Sequence, residues 1–395
     1  MLPKKTRDRS KAPMNMQVSL ALLSCAAIGM VFMSIPPVLL RFKELFSLTS
    51  AEAAFLATSV VASHAIVQIP AGIVTDRLGA RRTLIVSLGL IIVSSSLPAI
   101  RPSLCLMIFS RVLSGIGTGL AFNSGVKYAS VHATDSSRAF VQGFFGGAFS
   151  LGGIPAYVLM PSLFDINPSL IFATTSLVTA VPFLGLLRFG KEVNDKVGMA
   201  LKSLGKVFFL PPVWLIGVLH ALFFGSFMTL ATWFPSFAAS HLGLGSWRGA
   251  GGWGSLLLLG SAIARITGGI YLRWLPSKVF LGLVLVLQGV SLAPLAWTKI
   301  PAVGIVCFGV ALYLSSVTFG AIFNLCYRIV GPTYAGTGFG LLNFVANIGS
   351  TLFPVVFGWL IDLTNGYKAS FVFMLCLCSA GIPCLRLLRK WEKAT

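Results

Sequence analysis

Gly72-Ile-Val-Thr-Asp76-Arg77-Leu-Gly79-Ala-Arg81-Arg82 is a short polar interruption between two apolar stretches, residues 51–71 and 83–100. Glycines on both sides of the acid permit a tight reversal. Arg77, Arg81 and Arg82 are the kind of charge that holds a loop on one side of a bilayer. Glycine and arginine alone would describe many such turns; an acid followed directly by arginine at this place is more specific.

Working outward from this loop, apolar segments recur at 17–40, 51–71, 83–100, 104–126, 139–160, 169–187, 212–236, 250–272, 279–297, 301–326, 337–361 and 369–385. Each is close to the roughly 20 residues that a ~30 Å hydrocarbon core requires. The composition agrees, because only 10% of the 395 residues are charged where a soluble domain carries roughly 25%. The expectation is an all-α membrane protein of twelve transmembrane helices in two pseudo-symmetric six-helix bundles. Its parts are a tail 1–16, a bundle 17–187, a linker 188–211 ending in Pro211-Pro212, a bundle 212–385 and a tail 386–395. The first segment is too long for a signal-peptide core and is expected to stay in the mature protein.

The formal charge of +20 could suggest a nucleic-acid partner, but the basic residues form no patch. They are dealt out between apolar segments. With a cytoplasmic N-terminus, 22 Lys and Arg fall on the inner side and six on the outer. That split predicts an inner-membrane, multi-pass protein with both termini in the cytoplasm. Seven cysteines form no CxxC pair, so they read as small packing residues and not as disulfides or metal ligands.

A constant offset relates the halves. Gly72 and Gly269, Gly143 and Gly340, and Gly152 and Gly349 are each 197 residues apart. Small residues at helical spacing let helices pack closely in lipid, and one shared offset at three positions argues for duplication.

The opening loop resembles the signature of the major facilitator superfamily, Gly-x-x-x-Asp-Arg-x-Gly-x-Arg-Arg/Lys, matched at Gly72, Asp76, Arg77, Gly79, Arg81 and Arg82. Arg111-Val-Leu-Ser-Gly115-Ile-Gly117-Thr-Gly119 and the glycine-rich run from Gly143 to Pro155 resemble further segments of that family, in the same order. The resemblance implies a secondary transporter working by alternating access, with Asp76, Arg77 and Arg81 latching the cytoplasmic face. The second copy of the loop has Arg273 where Asp76 would recur, so the latch is expected to be asymmetric.

All ten acids fall outside mid-helix positions: Asp8, Asp76, Asp135, Glu192, Asp195 and Glu392 on the inner side, Glu44, Glu52, Asp165 and Asp362 on the outer. A cation carrier needs a buried carboxylate, so an anion is the favoured solute. Arg111 and Arg265 fall inside helices, where an unpaired arginine costs roughly 2.5–3.5 kcal/mol on insertion scales. Arg265-Ile-Thr-Gly268-Gly269 resembles the nitrate/nitrite branch and other anion carriers. That branch has a further arginine where this chain has Gln68-Ile-Pro70, and an asparagine where it has Ser150; Asn347-Ile-Gly349 is retained. Nitrate is therefore in doubt, and an organic or inorganic anion stays open.

Substrate-binding candidates are Arg111, Arg265, Gln68, Asn123, Gln142, Asn343 and Asn347, with Asn324 as a further polar residue. Bland readings stand beside them: Arg111 could satisfy carbonyls at a helix break, and Arg265 could belong to the loop cluster. His64 and His220 are the proton-coupling candidates, against ordinary hydrogen bonding across a helix interface. Trp214, Trp233 and Trp253 read as membrane-interface anchors. No metal cluster, nucleophile elbow or phosphate loop is present, so no enzyme, cofactor or metal is expected. The implied partners are a small-molecule substrate, membrane lipids and a coupling ion (H+ or Na+) or exchanged anion, with the protein a monomer. Efflux of hydrophobic or drug-like compounds, suggested by 31 phenylalanines, is the alternative within transport. A non-transporting receptor or scaffold is the alternative outside it.

Overall fold

The computed structural model describes residues 15–100, 103–133, 138–192, 205, 207–244 and 247–392; the side chains of 76, 138–140, 247–248, 331–336 and 389–392 lie outside that set. Among the described residues, twelve helices are long and apolar enough to span a bilayer. In the first half they are α1 (Met16–Leu45), α2 (Ser50–Thr75), α3 (Ala80–Ile100), α4 (Leu104–His132), α5 (Val141–Ile166) and α6 (Ser169–Phe189). In the second they are α7 (Pro211–Ser240), α8 (Gly249–Tyr271), α9 (Ser277–Ala296), α10 (Pro301–Val330), α11 (Thr337–Thr364) and α12 (Lys368–Leu388). The protein is thus a multi-pass, all-helical membrane protein, as the apolar segments predict. Much of the expected linker 188–211 lies outside the described residues.

Local chemistry sets the helix ends. Thr49 and Glu52 form a reciprocal capping box at the start of α2, which satisfies two otherwise orphaned donors. Asn15 and Ser103 cap α1 and α4 with their side-chain oxygens. Pro36 and Pro37 interrupt α1, which passes through a 3-10 turn before resuming at Leu39–Leu45. Gly79 closes the helix carrying α2 with φ +89°, a backbone conformation that a side chain would strain.

α1 packs on α4, α5 and α6, and α7 packs on α10, α11 and α12; the two groups meet chiefly along α2–α11 and α5–α8. Glycine spacing controls the approach. A Cβ on Gly152 would sit 1.9 Å from the Ala26 carbonyl oxygen, and one on Gly349 would sit 2.9 Å from the Ala221 Cβ. These two positions, 197 residues apart, therefore do the same work: one closes α5 on α1, the other closes α11 on α7.

The two faces of the bundle differ. On the face away from the chain ends, the groups are pinned together. Asp362 of α11 accepts from the Ser50 N–H (2.9 Å) and the Ala51 N–H (3.0 Å), and the Tyr157 hydroxyl of α5 donates to the Ala231 carbonyl of α7. Gly251 of α8 lies so close to α5 that a Cβ would come within 2.3 Å of the Tyr157 carbonyl oxygen. Toward the face that carries the chain ends, the same seams loosen. Gly146 meets Phe319 at 3.4 Å and Gly147 meets Ile266 at 2.8 Å, but one turn further on Gly143 has nothing within 4 Å of its Cβ position. Gly269 and Gly340, on the facing helices, are equally open.

Candidate functional site

Between the two groups, at mid-height, lies a cavity of about 420 Å³, counting the space at its mouth. Phe32, His64, Gln68, Phe122 and Phe149 line it from the first group. His220, Phe224, Arg265, Phe319, Asn343 and Asn347 line it from the second.

Arg265 sits on α8 and is 7% exposed. Its guanidinium lies 4.7 Å from the Phe227 ring, 5.6 Å from Phe224 and Phe319, and 5.7 Å from Phe149. Ring faces attract a cation, which offsets part of the burial. No carboxylate pairs with it among the described residues, and its Nε has no hydrogen-bond partner. Arg265 thus belongs to the cavity and not to the loop cluster.

Gln68 is the residue 197 positions before Arg265, and it lines the same cavity. Its side-chain amide is bonded at both its oxygen and its nitrogen. Asn123 Nδ2 donates to Gln68 Oε1 at 2.9 Å and to the Gln68 carbonyl at 3.1 Å, while Gln68 Nε2 lies 2.5 Å from His64 Nε2. With the amide donating, His64 Nε2 is the acceptor, so His64 Nδ1–H donates to Thr118 Oγ1 at 3.1 Å. Thr118 passes its own proton to the Gly115 carbonyl at 3.0 Å. The run from Asn123 to Gly115 holds His64 as a neutral, oriented ring. His220 differs: its Nδ1 is buried without a partner, beside Asn343. Asn347 donates from Nδ2 to the Asn343 carbonyl at 2.8 Å.

Other candidates lie elsewhere. Arg111 is 2% exposed and does not line the cavity. It donates to the Val31 carbonyl, to Ser34 Oγ at 3.2 Å, to the Phe32 carbonyl at 3.4 Å and to the Ala57 carbonyl at 2.7 Å. These include the carbonyls that the Pro36-Pro37 break leaves without helical partners. Arg111 and Arg265 therefore do not share one site. Gln142 is exposed and donates to Ser130 Oγ at 3.1 Å. Asn324 donates to Ser277 Oγ at 3.3 Å, away from the cavity. Ser150 is fully buried and bridges the groups through Ser261 Oγ at 3.3 Å. Trp233 is no interface anchor: it is 1% exposed and donates to the Pro354 carbonyl at 3.0 Å.

At the loop Leu78–Ala80, Arg81 donates to the Leu186 and Leu187 carbonyls at 3.0 and 3.3 Å, the negative end of α6. Glu192 lies 3.9 Å from Arg81 and 3.5 Å from Arg82. Gly72 is half-buried and Arg77 exposed; the Asp76 side chain lies outside the described residues. The start of the linker is also tied down, because the Lys191 N–H donates to Gln17 Oε1 and to the Tyr128 hydroxyl, each at 3.0 Å.

Sequence reasoning missed the phenylalanine walls and Asp362. Phe122 and Phe319 are again 197 residues apart, so the offset that pairs the glycines could have pointed to them, and to Gln68 opposite Arg265.

Comparison with known proteins agrees with this architecture. A family model described as Major Facilitator Superfamily matches residues 19–354. The "Probable nitrate/nitrite transporter NarK2" of Mycobacterium tuberculosis is 26% identical over 371 residues, covering 89% of this chain and 90% of that protein. The "Cyanate transport protein CynX" of Escherichia coli is 24% identical over 367 residues, covering 90% and 92%. Among solved structures, a bacterial homologue of the human lysosomal transporter Spinster superposes with a TM-score of 0.78 at 16% identity, covering 94% of this chain and 96% of that one.

Proposed function

This chain belongs to the Major Facilitator Superfamily, and from that premise we propose that it carries a small anion across the membrane by alternating access, with Arg265 meeting the charge. The observation that carries the reading is the buried Arg265 guanidinium, which faces the cavity with no carboxylate partner among the described residues. In a low-dielectric site an unpaired charge is costly, and a bound anion relieves that cost. The relatives support the same reading, since they are named for nitrate/nitrite and cyanate transport.

The two six-helix groups, 17–187 and 212–385, act as the rocking bodies, with the site between them. The chain ends face the cytoplasm of a cell inner membrane, so the loosened seam at Gly143, Gly269 and Gly340 corresponds to an inward-open arrangement. In the opposite arrangement Asp76, Arg77 and Arg81 close that face. His220, with an unpartnered nitrogen beside the same cavity, is the proton carrier of choice over His64.

Counterflow of labelled anions into proteoliposomes tests this, with Arg265→Gln and Arg265→Lys beside the wild type. Saturable uptake of an anion that falls at least tenfold in both variants is expected. Uptake of lipophilic cations alone, or undiminished anion uptake in Arg265→Gln, overturns it and promotes hydrophobic efflux.

A further inference from the structure

Three features of the cavity restrict the anion. The first is charge. Of the lining residues only Arg265 carries a formal charge with His64 and His220 neutral, and the pseudo-equivalent position is the uncharged Gln68. While His220 is neutral, a dianion would bring a second charge out of water to face amides and rings, with no cation to meet it.

The second is the supply of donors. The Gln68 amide gives one of its two N–H groups to His64, and the Asn347 amide one of its two to the Asn343 carbonyl. His64 donates to Thr118. The one charged donor among the lining residues is the planar fork of Arg265, with neutral amide N–H groups and His220 beside it. A fork matches the two oxygens of a carboxylate edge to edge. A small oxyanion would exchange a full hydration shell for this one fork and a few neutral donors.

The third is the wall opposite the charge. Phe149, Phe224, Phe227 and Phe319 surround the guanidinium, but Phe32 and Phe122 do not. Those two flank His64, at centroid distances of 5.2 and 6.0 Å, and give the first-group side of the cavity an aromatic surface. Such a surface stabilises non-polar substrate area and contributes little to a bare inorganic ion.

We infer that the preferred ligand is a monovalent carboxylate with a non-polar body, its head on Arg265 and its body against Phe32 and Phe122. This rests on the anion reading above and names the chemical class within it. Gln68 then acts as the specificity residue that keeps the site singly charged, while Phe122 sets how large a body is favoured.

The test is direct binding to the purified full-length protein, by calorimetry at constant ionic strength. The sodium salts of acetate, butyrate, benzoate, nitrate and succinate serve as probes, with Arg265→Gln, Phe122→Ala and Phe122→Leu as variants. Affinity is expected to rise about fourfold per methylene from acetate to butyrate, with benzoate tightest and succinate weakest. Phe122→Ala should weaken benzoate at least fivefold and acetate by much less, so that the preference for benzoate over acetate falls. Phe122→Leu, which keeps most of the volume, should fall between. Arg265→Gln should abolish binding of all carboxylates. Nitrate or succinate binding more tightly than benzoate, and lost in Arg265→Gln, would overturn the inference while leaving the anion reading intact. Failure of every anion to bind would overturn both.

Discussion

Asp362 caps the helix that Ser50 begins: its carboxylate accepts the Ser50 N–H at 2.9 Å, from the far end of α11 to the near end of α2. The bond joins one six-helix group to the other. The Ala51 N–H adds a second bond to the same carboxylate at 3.0 Å, and Lys43 Nζ lies 3.6 Å away. An anion at a helix N-terminus is favoured by the aligned peptide dipoles, so this is a latch on the face away from the chain ends. The family's loop motif places an acid, Asp76, on the other face. Under the alternating-access proposal, the two acids would serve as a pair of alternately made closures.

Hydrogen bonds to a charged group contribute roughly 1.5–3 kcal/mol each. Asp362→Ala is expected to shift the balance between closed and open forms of that face at least tenfold toward open. Spin labels at Leu45 and Leu363, both exposed, report it through their distance distribution. The long-distance population should grow in Asp362→Ala and grow less in Lys43→Gln. An unaltered distribution would remove the latch.

Arg111 holds the broken end of α1 through the Val31, Phe32 and Ala57 carbonyls, so its loss should be felt in stability and not in affinity. Arg111→Lys keeps the charge but cannot fan out to carbonyls on two helices. Leaving such groups unpaired costs about 1–3 kcal/mol each, and the unfolding temperature in detergent should fall by several degrees. Ligand affinity of the protein that remains folded should be unchanged. A weakened affinity at full thermal stability would return Arg111 to the substrate site.

Much of this was legible in the residues. Twelve spans follow from segment length, because the hydrocarbon thickness fixes it, and the 197-residue offset at Gly152 and Gly349 already implied matched helix contacts. What could not be read was depth and direction. Arg111 and Arg265 look alike as lone arginines in apolar segments, yet one turns to the backbone of α1 and the other to the cavity. That difference arises from the Pro36-Pro37 break, which frees carbonyls beside Arg111, and a linear sequence does not say which neighbour lies there. Trp233 was misjudged for the same reason, since proximity to a segment end does not reveal a partner such as the Pro354 carbonyl. Asp362 was legible as a loop-side acid, but its bond to Ser50 spans 312 residues.

The paired glycines make opposite predictions. Gly152→Ala would drive a methyl to within 1.9 Å of the Ala26 carbonyl oxygen, so α5 must move off α1 and folded yield should fall sharply. Gly143 has open space, so Gly143→Leu should leave yield and ligand binding intact. Closing the termini face brings that seam together, and a leucine there should obstruct it. Transport is expected to drop at least fivefold with binding unchanged. Equal loss of yield in both variants would mean that the seam at Gly143 is packed and not open.

Only one of the two cavity histidines has room for a proton. His64 has both ring nitrogens engaged, accepting from Gln68 and donating to Thr118, so a second proton would require the Gln68 amide to turn over. His220 has an unpartnered Nδ1, but it shares the cavity with Arg265, and two positive charges in one small site repel. A bound anion lifts that repulsion, so proton uptake at His220 and anion binding should favour each other reciprocally. Anion affinity is therefore expected to rise as the pH falls far enough to charge His220, and His220→Gln should flatten that profile. His64→Gln should lower stability and leave the slope in place. A slope preserved in His220→Gln and lost in His64→Gln would reverse the assignment. It would also mean that the Gln68 amide turns over during the cycle.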